Sequence, residues 1–274
     1  VLEDRPDGKE WVYSKNFYEA EKNIAEKMIE EEWKNQWDYD RFLAFRACRW
    51  ADFRSRFSSI SRSHSLTGAF HGSLLLGIFL IRLRGFSPSR FARAMVKGFQ
   101  NDFTPGKSMA SCVKHYAGYG AVEAGREYNT VDMSRWRLMQ EYLPPYQAAV
   151  DADCKMVMTS FNTVEGIPST ANQWLMQDVL RKKWGFDGVV ITDYGAIQEL
   201  VAHGVAENDA DAAKLAMDAG VDIDMRTPCY PNHLEELLEQ GAISQEQIDQ
   251  AVWRILTLKN EFGLFEDPYR GVHL

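Results

Sequence analysis

The chain has 274 residues, a formal net charge of −8 and a hydrophobic fraction of 45%, including eight tryptophans. This composition supplies enough apolar residues for a sizeable buried core. The four cysteines, Cys48, Cys112, Cys154 and Cys229, have neither metal-ligand nor disulfide-framework spacing. We therefore expect free thiols, buried where they adjoin apolar strands.

The start of the chain shows no secretory signal, because Val1-Leu2-Glu3-Asp4-Arg5 is charged. Val1 is not an initiator methionine, so a removed leader remains open and the protein is either cytoplasmic or secreted. Residues 19–34 predict a charged amphipathic helix. The apolar run at residues 72–81 is shorter than the roughly 20 residues that span a bilayer, so we expect no membrane partner.

Residues 41–100 differ in charge from the rest of the chain. They hold eleven Lys and Arg and one acid, Asp52, for a net charge of +10. Six serines interleave with arginines between residues 54 and 65. The remainder is correspondingly acidic, which argues against nucleic acid as the ligand of that part.

After residue 100, strand-like and helix-like patterns alternate. Short apolar runs predict strands near residues 111–116, 155–161 and 188–191. Helices are predicted at residues 134–150 with an interruption at Pro144-Pro145, at 171–183, at 209–219, and at 244–262 behind a Ser-x-x-Gln capping pattern. This alternation predicts a parallel α/β fold.

One predicted strand runs directly into reactive side chains. The run from Val189 to Ile191 reads as a buried parallel strand, and Thr192, Asp193 and Tyr194 follow it. In a (β/α) barrel the catalytic groups lie where such strands end, so Asp193 is a candidate reacting carboxylate. The alternative is that Thr192 and Asp193 cap the next helix.

A second strand ends in nitrogen donors. Lys114 and His115 are adjacent and precede a loop marked by Gly118 and Gly120. Such a pair suits hydroxyl-rich or anionic ligands. The alternative is an ordinary solvated pair on the surface.

Seven stretches occur in a characteristic order, at residues 113–120, 125–132, 143–146, 157–162, 184–188, 191–195 and 219–225. Together they resemble the amino-terminal barrel domain of glycoside hydrolase family 3, of the β-glucosidase type. The resemblance runs from about residue 90 to residue 271 and implies an α/β fold of the TIM-type (β/α) barrel. A complete barrel takes about 250 residues, so we expect an incomplete one with about five of eight strands recognisable.

The resemblance implies roles for individual residues. Asp193 falls on the catalytic nucleophile of a retaining glycosidase, and Tyr194 on an aromatic that flanks the leaving group. Lys114 and His115 fall on the pair that hydrogen-bonds sugar hydroxyls. Further substrate-binding positions are Met158 and Phe161, which line the sugar subsite, and Arg126, in the loop after the Lys-His strand.

The implied activity is hydrolysis of terminal β-linked glucosides or xylosides, with a small carbohydrate as ligand and no metal or cofactor. Retaining chemistry uses two carboxyl groups about 5–5.5 Å apart. The N-acetylglucosaminidase branch of the family carries an Asp-His pair in the loop after the Lys-His strand. Here no histidine lies between His115 and His203, which disfavours that branch.

The resemblance does not supply every catalytic group. In β-glucosidase-type members the acid/base glutamate comes from a second domain that follows the barrel. No acid/base residue is identified in residues 1–274, and we expect the missing carboxy-terminal domain to provide it. The alternative function is a catalytically incompetent fragment or a carbohydrate-binding remnant that lacks the acid/base domain.

Family-like sequence begins abruptly at Ser89. This change divides the chain into an atypical segment at residues 1–89 and a barrel domain at residues 90–274. The basic part of the first segment has three interpretations: a nucleic-acid- or membrane-binding arm, an ordinary insertion, or a stretch translated out of frame. The abrupt change favours the third.

Overall fold

The structure is a computed structural model that describes residues 2–4, 10–12, 88–103 and 108–269, the first two ranges by their backbone alone. The helix predicted at residues 19–34, the serine- and arginine-rich stretch at 54–65 and Cys48 lie outside these residues. The three interpretations of the basic segment therefore remain predictions.

The described strands are short. They are β1 (Leu2–Asp4), β2 (Glu10–Val12), β3 (Cys112–Tyr116), β4 (Thr130–Val131), β5 (Met156–Thr159), β6 (Thr163–Val164), β7 (Ile167–Pro168) and β8 (Val189–Ile191). β1 and β2 pair as an antiparallel hairpin. β3, β5 and β8 form a parallel sheet in the order β3-β5-β8.

Helices follow the strands of the parallel sheet. The described α-helices are α1 (Pro88–Gln100), α2 (Arg135–Arg137), α3 (Pro144–Asp151), α4 (Glu199–Ala202), α5 (Asp209–Ala219), α6 (Cys229–Glu239) and α7 (Gln245–Glu261). Two further segments, Leu138–Tyr142 and Trp174–Lys183, are π-helical. None of the helices among the described residues is long and apolar enough to cross a membrane.

The predicted parallel α/β fold is confirmed as a partial TIM-type barrel. A bridge between Ile191 and Ile223 extends the sheet beyond β8 by one position. The described part of the barrel sheet thus has three parallel strands and a bridge, whereas about five of the eight barrel strands were expected. The connection between α6 and α7 spans only residues 240–244, which leaves no room for a strand between those helices.

Tyr116, fully buried, is central to the core between sheet and helices. Its ring packs edge-on against Tyr146 and Trp184, with centroids 5.3 and 5.9 Å away. Its hydroxyl donates a 3.0 Å hydrogen bond to the carbonyl of Leu175, which fixes the π-helix against β3. The core therefore aligns the strand that carries His115.

The boundaries of α5 and α7 agree with local sequence signals. Ser244 and Gln247 form the predicted capping box at the start of α7. Asn208 caps α5, and Gly220 ends it with a left-handed φ of 85°. The helix predicted at residues 171–183 is instead π-helical, because apolar spacing does not distinguish i→i+4 from i→i+5 hydrogen bonding.

Described cysteines are free thiols, as the sequence predicted. Cys154 is buried, and burial raises the pKa of its thiol to about 11. Burial also raises the pKa of Cys112 to about 12. Both thiols are therefore protonated and unreactive at neutral pH.

A small sheet forms within the loops that follow β3 and β5. β4 pairs in parallel with β6, and β6 turns back through Gly166, with a φ of 79°, into β7. These loops leave the carboxyl ends of two neighbouring strands. The small sheet therefore ties together the segments that border the candidate site.

The buried carboxylate of Asp222 anchors β8 to the helices beside it. The side chain of Asp222 is 1% exposed and accepts hydrogen bonds from Arg181 and Arg254, each at 2.8 Å. It also accepts one from the Val190 N–H at 2.7 Å. Burial raises the pKa of Asp222 despite the two guanidinium groups, so desolvation is the largest influence on this ion triad.

Asp222→Ala should destabilise the fold strongly, because it leaves two partly buried guanidinium groups without their shared carboxylate. We expect a loss of about 3–5 kcal/mol in the free energy of unfolding, measured by urea titration followed by tryptophan fluorescence. The control is Asp178→Ala, which breaks an exposed 2.8 Å pair with Lys182 and should cost under about 1 kcal/mol. Equal losses in the two variants would contradict an anchoring role for the triad.

Candidate active site

The two candidate strand ends meet. His115 Nε2 lies 3.0 Å from Asp193 Oδ2, although β5 separates their strands in the sheet. The side chains are only 6% and 17% exposed. The Lys-His strand and the Asp-Tyr strand therefore contribute to one site above the carboxyl end of β5.

Backbone contacts hold the loop that carries Asp193. The Thr192 N–H donates to Ile223 O, and the Thr192 hydroxyl accepts from the Met225 N–H at 2.8 Å. Gly195, with a φ of 75°, donates its N–H to Met225 O at 3.0 Å. The chain beyond the Ile223 bridge thus fixes the loop on both sides of Asp193.

The helix-cap interpretation of Asp193 is wrong. Its Oδ1 accepts from the N–H of the adjacent Tyr194 at 2.7 Å, and its Oδ2 faces His115. The next helix, α4, begins only at Glu199, with no side-chain capping bond. Neither carboxylate oxygen is used to cap a helix.

The surroundings keep Asp193 ionised. Burial alone would raise the pKa of this carboxyl group. The hydrogen bond from His115, the N–H of Tyr194 and the charges of His115 and Lys114 outweigh burial and hold the pKa below its usual value. A carboxylate at neutral pH is the form that attacks an electrophilic carbon.

Met158 and Phe161 lie on the strand and loop between the two site residues. Met158 is half-buried and lies on the opposite face of β5 from Val157, which packs in the core. Phe161 follows the strand and packs against Tyr128 at a centroid distance of 4.5 Å. The lining role that the resemblance implied for both residues stays a prediction.

Tyr194 lies beside Asp193, whereas Arg126 lies in a different loop. Tyr194 is 62% exposed beside Asp193, and its hydroxyl accepts a 3.4 Å hydrogen bond from Arg226 Nε. Arg126 is exposed in the loop between β3 and β4, and its N–H donates to Glu123 O. No contact in the described part of the chain brings the Arg126 side chain to Asp193.

Several neighbours of the site were not singled out from the sequence. Tyr119 packs edge-on against His115 at 5.2 Å, and burial together with the charge of Glu127 raises the pKa of its hydroxyl. Tyr128 and Arg226 border the same region. Tyr119 and Tyr128 follow a strand end within matched stretches, which is the signal that could have identified them.

In residues 88–103 and 108–269 there is no group of three His, Cys, Asp or Glu residues arranged to hold a metal ion.

The model of the glycosyl hydrolase family 3 N-terminal domain matches residues 86–258. The chain belongs to glycosyl hydrolase family 3. The family expected from the seven ordered stretches is therefore confirmed.

Individual relatives are glycosidases. A periplasmic β-glucosidase of Salmonella typhimurium is 44% identical over 182 residues, which cover 66% of this chain and 24% of the relative. An exo-1,4-β-xylosidase of Emericella nidulans is 36% identical over 191 residues, which cover 67% and 25%. The crystal structure of a Listeria innocua β-glucosidase in complex with glucose shares 53% identity and a TM-score of 0.65, over 67% of this chain and 26% of that one. The family 3 chain thus spans about a quarter of the length of these relatives.

His115→Ala should raise the pKa of Asp193. The variant removes the largest influence that lowers this pKa and leaves burial opposed only by the Tyr194 N–H and Lys114. Carbon-13 NMR titration of the aspartate carboxyl groups measures the shift. Wild-type Asp193 should titrate below the usual value of about 3.9, and the variant above the wild type.

The control for this titration is His203→Ala, a histidine beside α4 rather than at the site. It should leave the Asp193 titration unchanged. Because the pKa is lowered on folding, ionised Asp193 stabilises the native state above the unfolded pKa, and that stabilisation is lost as pH falls through the folded pKa. An unchanged Asp193 pKa in His115→Ala would contradict the electrostatic role of the contact.

Proposed function

We propose that this domain carries the nucleophile side of a retaining β-glycosidase that acts on terminal β-linked glucosides or xylosides. The observation that carries the proposal is the 3.0 Å contact between His115 and an Asp193 whose pKa lies below its usual value. The relatives named as β-glucosidases and β-xylosidases support the same substrate class.

In the first step, a carboxylate oxygen of Asp193 bonds to the anomeric carbon, and the bond from that carbon to the leaving oxygen breaks. The leaving oxygen takes its proton from a carboxylic acid outside residues 1–274, which we assign to a second domain. In the second step, that group accepts a proton from water, and the water oxygen displaces Asp193. These two steps require no metal ion and no redox cofactor.

Each binding residue has a physical task in this scheme. His115 orients Asp193 through its Nε2, and Lys114 adds positive charge near the carboxylate. Lys114 also supplies donors for sugar hydroxyls. Phe161 and Met158 form the apolar lining against which one face of the sugar ring rests. Tyr194 flanks the leaving group, and Arg126 contributes from the loop after β3.

The domain organisation of the proposal follows the sequence. Residues 90–274 form the barrel domain, and residues 1–89 form the atypical segment that precedes it.

The competing function is a carbohydrate-binding remnant without turnover. It follows from the absence of an identified acid/base residue, since general acid catalysis typically contributes 10²–10⁴-fold. A substrate whose leaving group needs little protonation distinguishes the two functions. A glycosidase would hydrolyse it, whereas a carbohydrate-binding remnant would not.

We expect the chain to release 4-nitrophenol slowly from its β-glucoside, because this leaving group departs without strong protonation. Asp193→Asn should abolish the release, since a neutral amide is a poor nucleophile. Absorbance of nitrophenolate measures both. Release that persists in Asp193→Asn would contradict the nucleophile assignment. Glucose binding without any release by the wild type would favour the carbohydrate-binding remnant.

Lys114→Met should weaken glucose binding, measured by calorimetry. A hydrogen bond to a charged group contributes about 1.5–3 kcal/mol, so we expect a loss in that range. Lys182→Met, on the exposed side of the π-helix, is the matched control and should leave affinity unchanged. If both variants bind like the wild type, Lys114 does not face the sugar.

A further inference from the structure

The pairing of β3 with β5 is irregular at the position of His115. Val113 pairs with Val157. The next pair joins Tyr116 to Thr159, so β3 advances by one residue more than β5 between the two pairs. His115 therefore lies in a β-bulge. Bulges bend a strand and change the direction of its side chains, and they are frequent beside active sites.

Regular strand pairing does not fix the backbone at His115. The register gives this residue no paired residue on β5. Among the described residues of the parallel sheet, β3 has no strand on its other side. Nevertheless, the imidazole lies 3.0 Å from Asp193, which requires a definite backbone orientation. Contacts other than strand pairing therefore determine that orientation.

Tyr146, on α3, supplies such a contact. Its hydroxyl donates a 2.5 Å hydrogen bond to the backbone carbonyl of His115. Its ring packs edge-on against Tyr116, with the centroids 5.3 Å apart. Burial raises the pKa of the Tyr146 hydroxyl, so the group stays protonated and remains a donor at neutral pH. One side chain thus contacts two consecutive residues of the bulged strand.

Tyr146 projects from a well-anchored helix start. Leu143, just before α3, is buried, and its carbonyl accepts the Gln147 N–H at 3.0 Å. Ala148 and Ala149 bury the following turn of the helix. A residue that supports a reacting group is most effective on such a rigid element, because the reacting geometry tolerates only small displacements.

We propose that Tyr146 is a positioning residue for the nucleophile: its hydroxyl holds the bulged backbone of His115 in the orientation that brings Nε2 to Asp193. The inference rests on the proposed glycosidase function and deepens it. Tyr146 takes no part in making or breaking bonds and acts through His115. Loss of the hydroxyl would therefore loosen the contact between His115 and Asp193 without removing either side chain.

The test compares two variants that each remove one phenolic hydroxyl. Tyr146→Phe keeps the ring that packs against Tyr116. The matched control is Tyr230→Phe, because the Tyr230 hydroxyl also donates to a backbone carbonyl, that of Val221, at 2.9 Å. Carbon-13 NMR titration of the full chain follows the carboxyl group of Asp193, and urea titration follows stability. Release of 4-nitrophenol from its β-glucoside follows turnover.

We expect similar losses of stability in the two variants, since each leaves one carbonyl without its phenol donor. Only Tyr146→Phe should raise the pKa of Asp193, and by less than His115→Ala, which removes the imidazole itself. Tyr146→Phe should also lower kcat for nitrophenol release about two- to tenfold with KM nearly unchanged. An Asp193 pKa that Tyr146→Phe leaves unchanged, or that Tyr230→Phe raises equally, would overturn the inference.

A double-variant cycle separates positioning from a general structural effect. In a His115→Ala background, Tyr146→Phe should leave the pKa of Asp193 unchanged, because its influence passes through the imidazole. The same rise in both backgrounds would contradict the inference. A wild type that binds glucose and releases no nitrophenol would count against the proposed hydrolysis, whereas the titration would still decide the role of Tyr146.

Folding of the variants is checked by circular dichroism. Tyr146→Met, whose flexible apolar side chain fills irregular space, repeats the titration if Tyr146→Phe does not fold. If neither variant folds while Tyr230→Phe does, the Tyr146 side chain serves the fold, and the inference fails.

Discussion

The contact between His115 and Asp193 is the interaction on which the candidate site depends. It joins two strands that are not neighbours, and it forms only because β3, β5 and β8 are parallel and end at the same edge of the sheet. The core contact of Tyr116 sets the position of β3. Hydrogen bonds from residues beyond Ile223 set the loop after β8. A shift of either strand would separate the pair and change the ionisation of Asp193.

The carboxylates of Asp222 and Asp193 have different surroundings, and these give one a structural role and leave the other able to react. Asp222 is almost inaccessible, and two arginines and a backbone N–H occupy its oxygens. Asp193 has a histidine and one N–H, and part of its surface remains open. Burial raises the pKa of Asp222, whereas at Asp193 the polar contacts outweigh burial. Asp222 therefore holds β8 in place, and Asp193 is available to react.

Features encoded by neighbouring residues were predictable from the sequence. The apolar run of β8 followed by Asp193, and the Ser244 cap of α7, are local signals that the structure confirms. α6 was not predicted, because its start lacks a local cap and depends on Asp224, whose carboxylate accepts the Tyr230 N–H. The two-residue strands of the small sheet are too short for any periodicity. The place of Tyr128 on Phe161 depends on two loops that meet only after folding.

The central claim is that Asp193 forms the covalent bond to the sugar. A 2-deoxy-2-fluoroglucosyl fluoride tests it directly, because fluoride leaves without an acid and the fluorinated intermediate hydrolyses slowly. The bond from carbon to fluoride breaks as an oxygen of Asp193 bonds to that carbon. Mass spectrometry of the digested chain should find the sugar on the peptide that contains Asp193. A label on Glu165 or Asp187 instead, or no label on a chain that binds glucose, would contradict the account.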